Sequence, residues 1–155
     1  MSDAPATPEF RVRGLRKGFE QGARSGYRHV QAVDGIDLDV MAGQRVGIVG
    51  ESGSGKSTLV RMLDAIIAPS SGEIRFRGQR IDGARERQLG ELRSSVQMVF
   101  QDPRSSLDPR MKVGQIITEP LRSRLLRGRP DVPRDHRARL AEVLEQVQLE
   151  ADAAE

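Results

Sequence analysis

The stretch Gly50-Glu51-Ser52-Gly53-Ser54-Gly55-Lys56-Ser57 fits the pattern GxxxxGK[ST] at every fixed position, and Thr58 follows it. Few short patterns constrain a fold as tightly. Glycines allow a tight turn in which successive backbone N–H groups converge, and such a turn holds phosphate when a strand enters it and a helix leaves it. Both flanks have that pattern. Arg45-Val46-Gly47-Ile48-Val49 is a short apolar run of the kind buried in a parallel sheet, while Leu59, Met62, Leu63, Ile66 and Ile67 recur at helical spacing. Pro69 and Ser70-Ser71-Gly72 close the helix. Gly50, Ser52, Gly53, Ser54, Gly55 and Thr58 are therefore expected to cradle nucleotide phosphates. Lys56 is expected to reach the β- and γ-phosphates, and the Ser57 hydroxyl to ligate magnesium. Glu51 reads as a solvent-facing residue, because backbone groups carry the work of the loop.

The remaining periodicity predicts an α/β protein. Alternation over Phe10–Leu15, Ile36–Val40 and Glu73–Arg77 predicts strands, and Ser95–Phe100 predicts a further buried one. Arg85–Arg93 suits a polar helix. After Gln101 the texture changes to a proline-bounded loop, Asp102 to Pro109. Two helices are then expected, Val113–Leu126 with Pro120 inside and Arg134–Leu149, joined by Gly128-Arg129-Pro130 and Pro133. The second presents Leu140, Val143, Leu144 and Val147 on one face. This divides the chain into a disordered lead over 1–8, a nucleotide-binding core over 9–102, and the beginning of a helical subdomain over 103–155.

The sequence has no cysteine, which excludes disulfides, thiolate metal sites and cysteine nucleophiles. Its apolar runs fall far short of the about 20 residues needed for a spanning helix, and Met1–Pro8 lacks the pattern of a secretory signal. Arg122, Arg124, Arg127, Arg129, Arg134, Arg137 and Arg139 concentrate positive charge in a short stretch. Such a run suits nucleic acid, anionic lipid or simply water. No aromatic residue interleaves to stack on bases, so a solvated helical face is the plainer reading and no nucleic-acid partner is expected.

Motifs beyond the loop narrow its meaning. Val96-Gln97-Met98-Val99-Phe100-Gln101-Asp102-Pro103 resembles the Q-loop of ABC transporter ATPases, and Leu15-Arg16-Lys17-Gly18-Phe19 resembles their A-loop region. Ser106-Leu107-Asp108-Pro109-Arg110-Met111 and Ile116-Ile117-Thr118-Glu119-Pro120-Leu121 resemble the ATP-binding subunits of oligopeptide, dipeptide and nickel importers. The resemblance covers about Leu15 to Leu149. It implies a P-loop NTPase core with an N-terminal antiparallel β subdomain and the start of a helical subdomain. It also implies ATP and magnesium as cofactors, with Phe19 stacking on adenine and Gln101 reaching the magnesium and attacking-water region. Tyr27 is a rival for the stacking role, although Ser25-Gly26 beside it reads as a loop tip.

The same resemblance implies partners: permease transmembrane subunits, a second ATP-binding subunit and, indirectly, a solute-binding protein. The segment Gln101–Met111 would meet the permease, and the protein would sit peripherally at the cytoplasmic face of the membrane. Peptides are the first expectation for the solute, ahead of nickel. The chain ends before the family's signature motif, Walker B strand and switch histidine. Lys56 and Gln101 are therefore contributory members of an incomplete catalytic set, and the expectation is ATP binding without efficient turnover. His29, His136, Asp102 and Asp108 read as no substitutes. A truncated sheet also predicts uncovered apolar edges and poor solubility. The alternative is a non-hydrolytic nucleotide-binding module that docks on a permease or a full-length ATPase. A kinase or GTPase reading has no guanine-reading or acceptor-site motif behind it.

Overall fold

The computed structural model describes residues 7–23, 26–102, 106–124, 130 and 132–154. The chain divides into two compact units, Met1–Gln97 and Met98–Glu155.

The first unit is organised by one antiparallel sheet in the order β2-β1-β3-β4. Strands β1 (Phe10–Ala23) and β2 (Gly26–Val40) form a long hairpin, paired from Phe10↔Val40 to Ala23↔Gly26. Both strands run well beyond their predicted spans. The excess, Arg16 to Val33, carries little apolar alternation, so its strand character comes from cross-strand pairing instead. Strand β3 (Ser71–Phe76) pairs with β1 on the other side, and β4 (Gln79–Arg80) closes the sheet after a turn at Arg77-Gly78. At Gly72, φ is +96° and an added Cβ would lie 2.6 Å from the Gly14 carbonyl oxygen, so β3 approaches β1 where only glycine fits.

Helix α1 (Lys56–Leu63) lies on this sheet and stops earlier than predicted. Ala65 takes a left-handed conformation, and the N–H groups of Ile66 and Ile67 return to the Arg61 carbonyl. The chain must turn there to reach β1, where the Ser70 N–H donates to the Arg16 carbonyl at 2.8 Å. Leu59 and Met62 join Val12, Leu15, Val33, Ile74, Phe76, Ile81, Leu89 and Leu92 in the core. The polar helix expected over 85–93 is instead a short 3-10 turn, Glu86–Gln88, followed by α2 (Gly90–Ser95). Leu89 and Leu92 anchor it, and Arg93 bridges to the C-terminal end of α1 through the Asp64 carbonyl at 2.6 Å.

Two predicted strands do not form. Residues 45–49 and 95–100 belong to no sheet; Val49 is 97% exposed and Val99 82%. An apolar run that reads as a parallel strand gains its stability from ladder partners and from cover on both faces, and among the described residues neither segment has a neighbouring strand. Pro8 is buried, and Glu9 pairs with Arg77 through its carboxylate at 2.8 Å and its carbonyl at 2.8 Å.

The second unit is helical: α3 (Val113–Thr118), a 3-10 turn over Glu119–Arg122, α4 (His136–Gln146) and a final 3-10 turn over Ala151–Ala154. Pro120 explains why the longer helix does not form. It supplies no N–H, and its ring would crowd the carbonyl one turn back. Thr118 is buried, with its hydroxyl donating to the Gly114 carbonyl at 2.8 Å. Helix α4 begins where Asp135 accepts from the Arg137 and Ala138 N–H groups, both at 3.0 Å. Its apolar face is only partly used: Leu144 is buried, whereas Val147 is exposed beyond the helix end. Leu126, Gly128 and Arg129 lie outside the described residues.

Asp82 holds the turn after β4. Its carboxylate accepts from the Ile74 N–H at 2.8 Å and from Arg80 at 2.7 and 2.9 Å. Burial pushes its pKa up, but these hydrogen bonds outweigh burial and hold it below the usual carboxylate value. A depressed folded pKa contributes stability above the unfolded value and loses it as pH falls through the folded one. Thermal melts between pH 6 and 3 are expected to show a falling Tm in wild type, and a lower, flatter profile over the acid limb in the Asp82→Asn variant.

Candidate functional site

The loop after Val49 runs over 50–55 and enters α1 at Lys56. What positions it is a close contact with the hairpin. Lys17 pairs with Val33 and Gly18 with Gln31, which leaves Ala32 as an extra residue, a bulge in β2. Gly55 packs against this bulge with φ +88°, and an added Cβ there would lie 2.0 Å from the Ala32 carbonyl oxygen. Only glycine satisfies both the left-handed backbone and that distance.

Gly55 is also the residue that caps α1, and it has no side chain with which to bond the first-turn amides. The first turn holds no acidic residue either. The N–H groups of Lys56, Ser57 and Thr58 thus present a helix N-terminus of uncompensated positive character. Ala32, Gly53, Ser54, Gly55, Lys56, Ser57 and Thr58 line a hollow of about 160 Å³. Lys56 folds back over the loop, with Nζ donating to the Gly50 carbonyl at 2.9 Å, the Glu51 carbonyl at 2.5 Å and Ser54 Oγ at 3.3 Å. The loop is further closed by the Ser54 N–H on the Glu51 carbonyl at 3.2 Å. A lysine held only by neutral oxygens, two carbonyls and a hydroxyl, has more to gain from an anion than from its present partners. The arrangement is an anion cradle.

The other sequence-expected residues fall as follows. Gly50 contributes its carbonyl to Lys56, whereas Ser52 is exposed and outside the lining. Phe19 is 37% exposed, with the Lys17 ammonium 5.1 Å from its ring centre, and it pairs with Val30, two residues before the bulge. Tyr27 pairs with Gly22, nearer the hairpin turn. Gln101 belongs to the second unit and is exposed. Asp102 is likewise exposed, and Pro103 lies outside the described residues. His29 is an exposed strand residue with Nε2 3.1 Å from Gln31 Oε1. Among the described residues no group of three or more His, Cys, Asp or Glu could hold a metal. The bulge at Ala32 escapes sequence reasoning, because alanine in a strand gives no signal of an extra residue.

Comparison with known proteins agrees with this geometry. The profile of the ABC transporter family matches residues 33–155, from the strand that supports the cradle through the helical unit. The chain belongs to the ABC transporter family. It is 44% identical over 112 residues to the di/tripeptide transport ATP-binding protein DppF of Pseudomonas aeruginosa, covering 71% of this chain and 35% of DppF. It is 45% identical over 148 residues to the glutathione import ATP-binding protein GsiA of Escherichia coli K12, covering 92% of this chain and 23% of GsiA. The peptidoglycan transport ATP-binding protein YejF of Agrobacterium fabrum is 56% identical over 94 residues, covering 61% of this chain and 17% of YejF. The chain therefore spans about a third or less of the length of these relatives.

Solved structures agree in fold. The ATP-binding cassette MJ0796, in its dimeric structure bound to ADP and Pi, superposes with a TM-score of 0.76 at 24% identity, over 94% of this chain and 60% of that one. CbiO1 of Clostridium perfringens gives 0.64 at 29% identity, over 93% and 52% respectively. The fold class is thus a partial P-loop cassette, even though its sheet here is wholly antiparallel.

The Gly55–Ala32 contact is directly testable. Gly55→Ala is expected to cost at least about 2 kcal/mol, combining left-handed strain with a backbone clash, and to lower Tm accordingly. Gly53 has open space around it, so Gly53→Ala meets left-handed strain alone and is expected to fall by less. Thermal denaturation of both variants reads the difference.

Proposed function

We propose that this chain is the nucleotide-binding portion of an ATP-driven importer for peptides or peptide-like solutes. The cradle carries the reading: a GxxxxGK[ST] loop seated on a strand bulge, with a bare helix N-terminus and a lysine held only by neutral oxygens. The solute follows from relatives whose names specify di/tripeptide, peptidoglycan and glutathione transport.

The cradle fits a phosphate chain. Its amide donors, its one lysine and its lack of an acid match polyanionic oxygens, and a hollow of about 160 Å³ suits phosphates better than a base and sugar. ATP bound there supplies the free energy of phosphoryl transfer, with magnesium offsetting its charge. On this reading the 56–58 amides hold phosphate oxygens, and Lys56 exchanges its carbonyl partners for phosphate. The Ser57 hydroxyl would be a protein ligand to the magnesium, which would offset the phosphate charge. Phe19, with the Lys17 ammonium 5.1 Å from its ring centre, offers its ring to the adenine, and such stacking is worth about 1–3 kcal/mol. Gln101 is assigned to the γ-phosphate and water side.

These 155 residues contain no apolar strand ending in Asp-Glu and no SGGQ-like motif. Their share of the chemistry is binding and orientation. A permease, a second ATP-binding subunit and a place on the cytoplasmic face of the membrane complete the proposal; among the described residues no helix is long and apolar enough to cross a membrane.

Fluorescent-ATP titration tests the reading. Wild type is expected to bind with magnesium present, and Lys56→Ala to weaken binding at least about tenfold, or about 1.4 kcal/mol. Equal affinity in both proteins would remove the loop from the proposal. Turnover by the 155-residue chain is expected at background, with or without Lys56.

A further inference from the structure

The run of arginines in the last third of the chain has no role in the cradle, and the structure sorts its members. Arg139 turns to Glu142, with Nη1 2.6 Å from Oε1, as an ordinary exposed helix pair. Arg122 and Arg137 do something else. Together with Lys112 and His136 they line an open surface hollow of about 320 Å³ on the second unit, beside the exposed Gln115 and the buried Thr118.

Four basic side chains from three separate places thus face one hollow: the start of α3, the 3-10 turn after it, and the first turn of α4. Among the described residues no carboxylate lines it, and Lys112, Arg122, His136 and Arg137 form no ion pair. The nearest acid along the chain, Asp135, is engaged with the N–H groups of its own helix. Glu119 lines a different hollow beside Arg122. Lys112, Arg122 and Arg137 are exposed, so water screens their mutual repulsion, but an anion seated among them would gain attraction from all three at once. Two guanidinium groups favour planar oxyanions with several acceptor oxygens.

The third wall is rigid. Thr118 is buried and bonded to Gly114, and a Cβ on Gly114 would lie 3.1 Å from both Leu140 Cδ2 and the Ala154 carbonyl oxygen. The packing that holds α3 against α4 therefore also fixes the distance between the two groups of cations.

We propose that Lys112, Arg122, His136 and Arg137 form a phosphate-binding pocket in the helical unit, distinct from the P-loop cradle, that takes a phosphate group free in solution or carried on a lipid headgroup. Lys56→Ala weakens the cradle and every amide read lies in the helical unit, so failure of one proposal leaves the other standing. Inorganic phosphate titrated at constant ionic strength into the ¹⁵N-labelled full chain carrying Lys56→Ala is expected to shift the Gly114, Gln115 and Arg137 amides saturably. Adding Arg122→Gln with Arg137→Gln should raise the midpoint at least fivefold while the far-UV CD spectrum is unchanged. Arg139→Gln should leave the midpoint as it was. If the double variant does not fold, Lys112→Gln alone should raise the midpoint at least twofold. Co-sedimentation with phosphatidylglycerol and phosphatidylcholine vesicles distinguishes the sources. Binding to the anionic vesicles that the double variant loses assigns the phosphate to lipid; saturation by inorganic phosphate without vesicle binding assigns it to solution. Absence of both, or midpoints unchanged in the glutamine variants, would overturn the proposal.

Discussion

The contact between Gly55 and the Ala32 carbonyl is the constraint on which the site depends. It couples two elements far apart in sequence: the hairpin, which is built first in the chain, and the loop, whose glycines have no conformational preference of their own. A glycine-rich turn left alone would sample many shapes, since glycine loses more entropy on ordering than any other residue. Pressing Gly55 onto a strand bulge removes that freedom. The α1 N-terminus then points in one direction, and Lys56 can only fold over its own loop or reach an anion above it.

The bulge is also where the sheet gives up regularity to serve the site. The β1–β2 ladder slips at three places, and one of them turns Ala32 toward Gly55. Bulges next to binding sites commonly re-aim backbone in this way. The core beneath, from Val12 and Leu15 to Leu59 and Met62, holds sheet and helix together, so the loop is fixed at its α1 end. Phe19 and its lysine neighbour lie on the same hairpin, which gives one element responsibility for both the phosphate side and the proposed base side of the site.

The exposed apolar segments deserve a physical account of the same kind. Val46, Ile48 and Val49 before the loop, and Val99 and Phe100 before Gln101, have the composition of buried strands and the exposure of surface. Their composition is matched to partners that the described residues do not include. The antiparallel sheet closes because each of its strands finds a neighbour within the first 80 residues; the parallel strands have none there. Local pattern states what a segment is suited for, and only available partners decide whether it becomes that.

Legibility in the sequence followed the range of the interactions involved. The loop and the start of α1 are local matters of backbone freedom and are legible from neighbouring residues. The Pro120 interruption and the Asp135 cap are equally local, yet one expected helix runs through Pro120 and the other begins at Arg134. Family membership was legible too, because the motifs around Phe19, Gln101 and Leu107 stand in fixed order along the chain. Tertiary structure decided the rest. It made a long hairpin of a polar stretch, placed a bulge under Gly55, left two apolar runs unpaired and gathered Arg122 and Arg137 around one cavity. Each of those outcomes depends on groups distant in sequence meeting in space, and no pattern of adjacent residues encodes such a meeting.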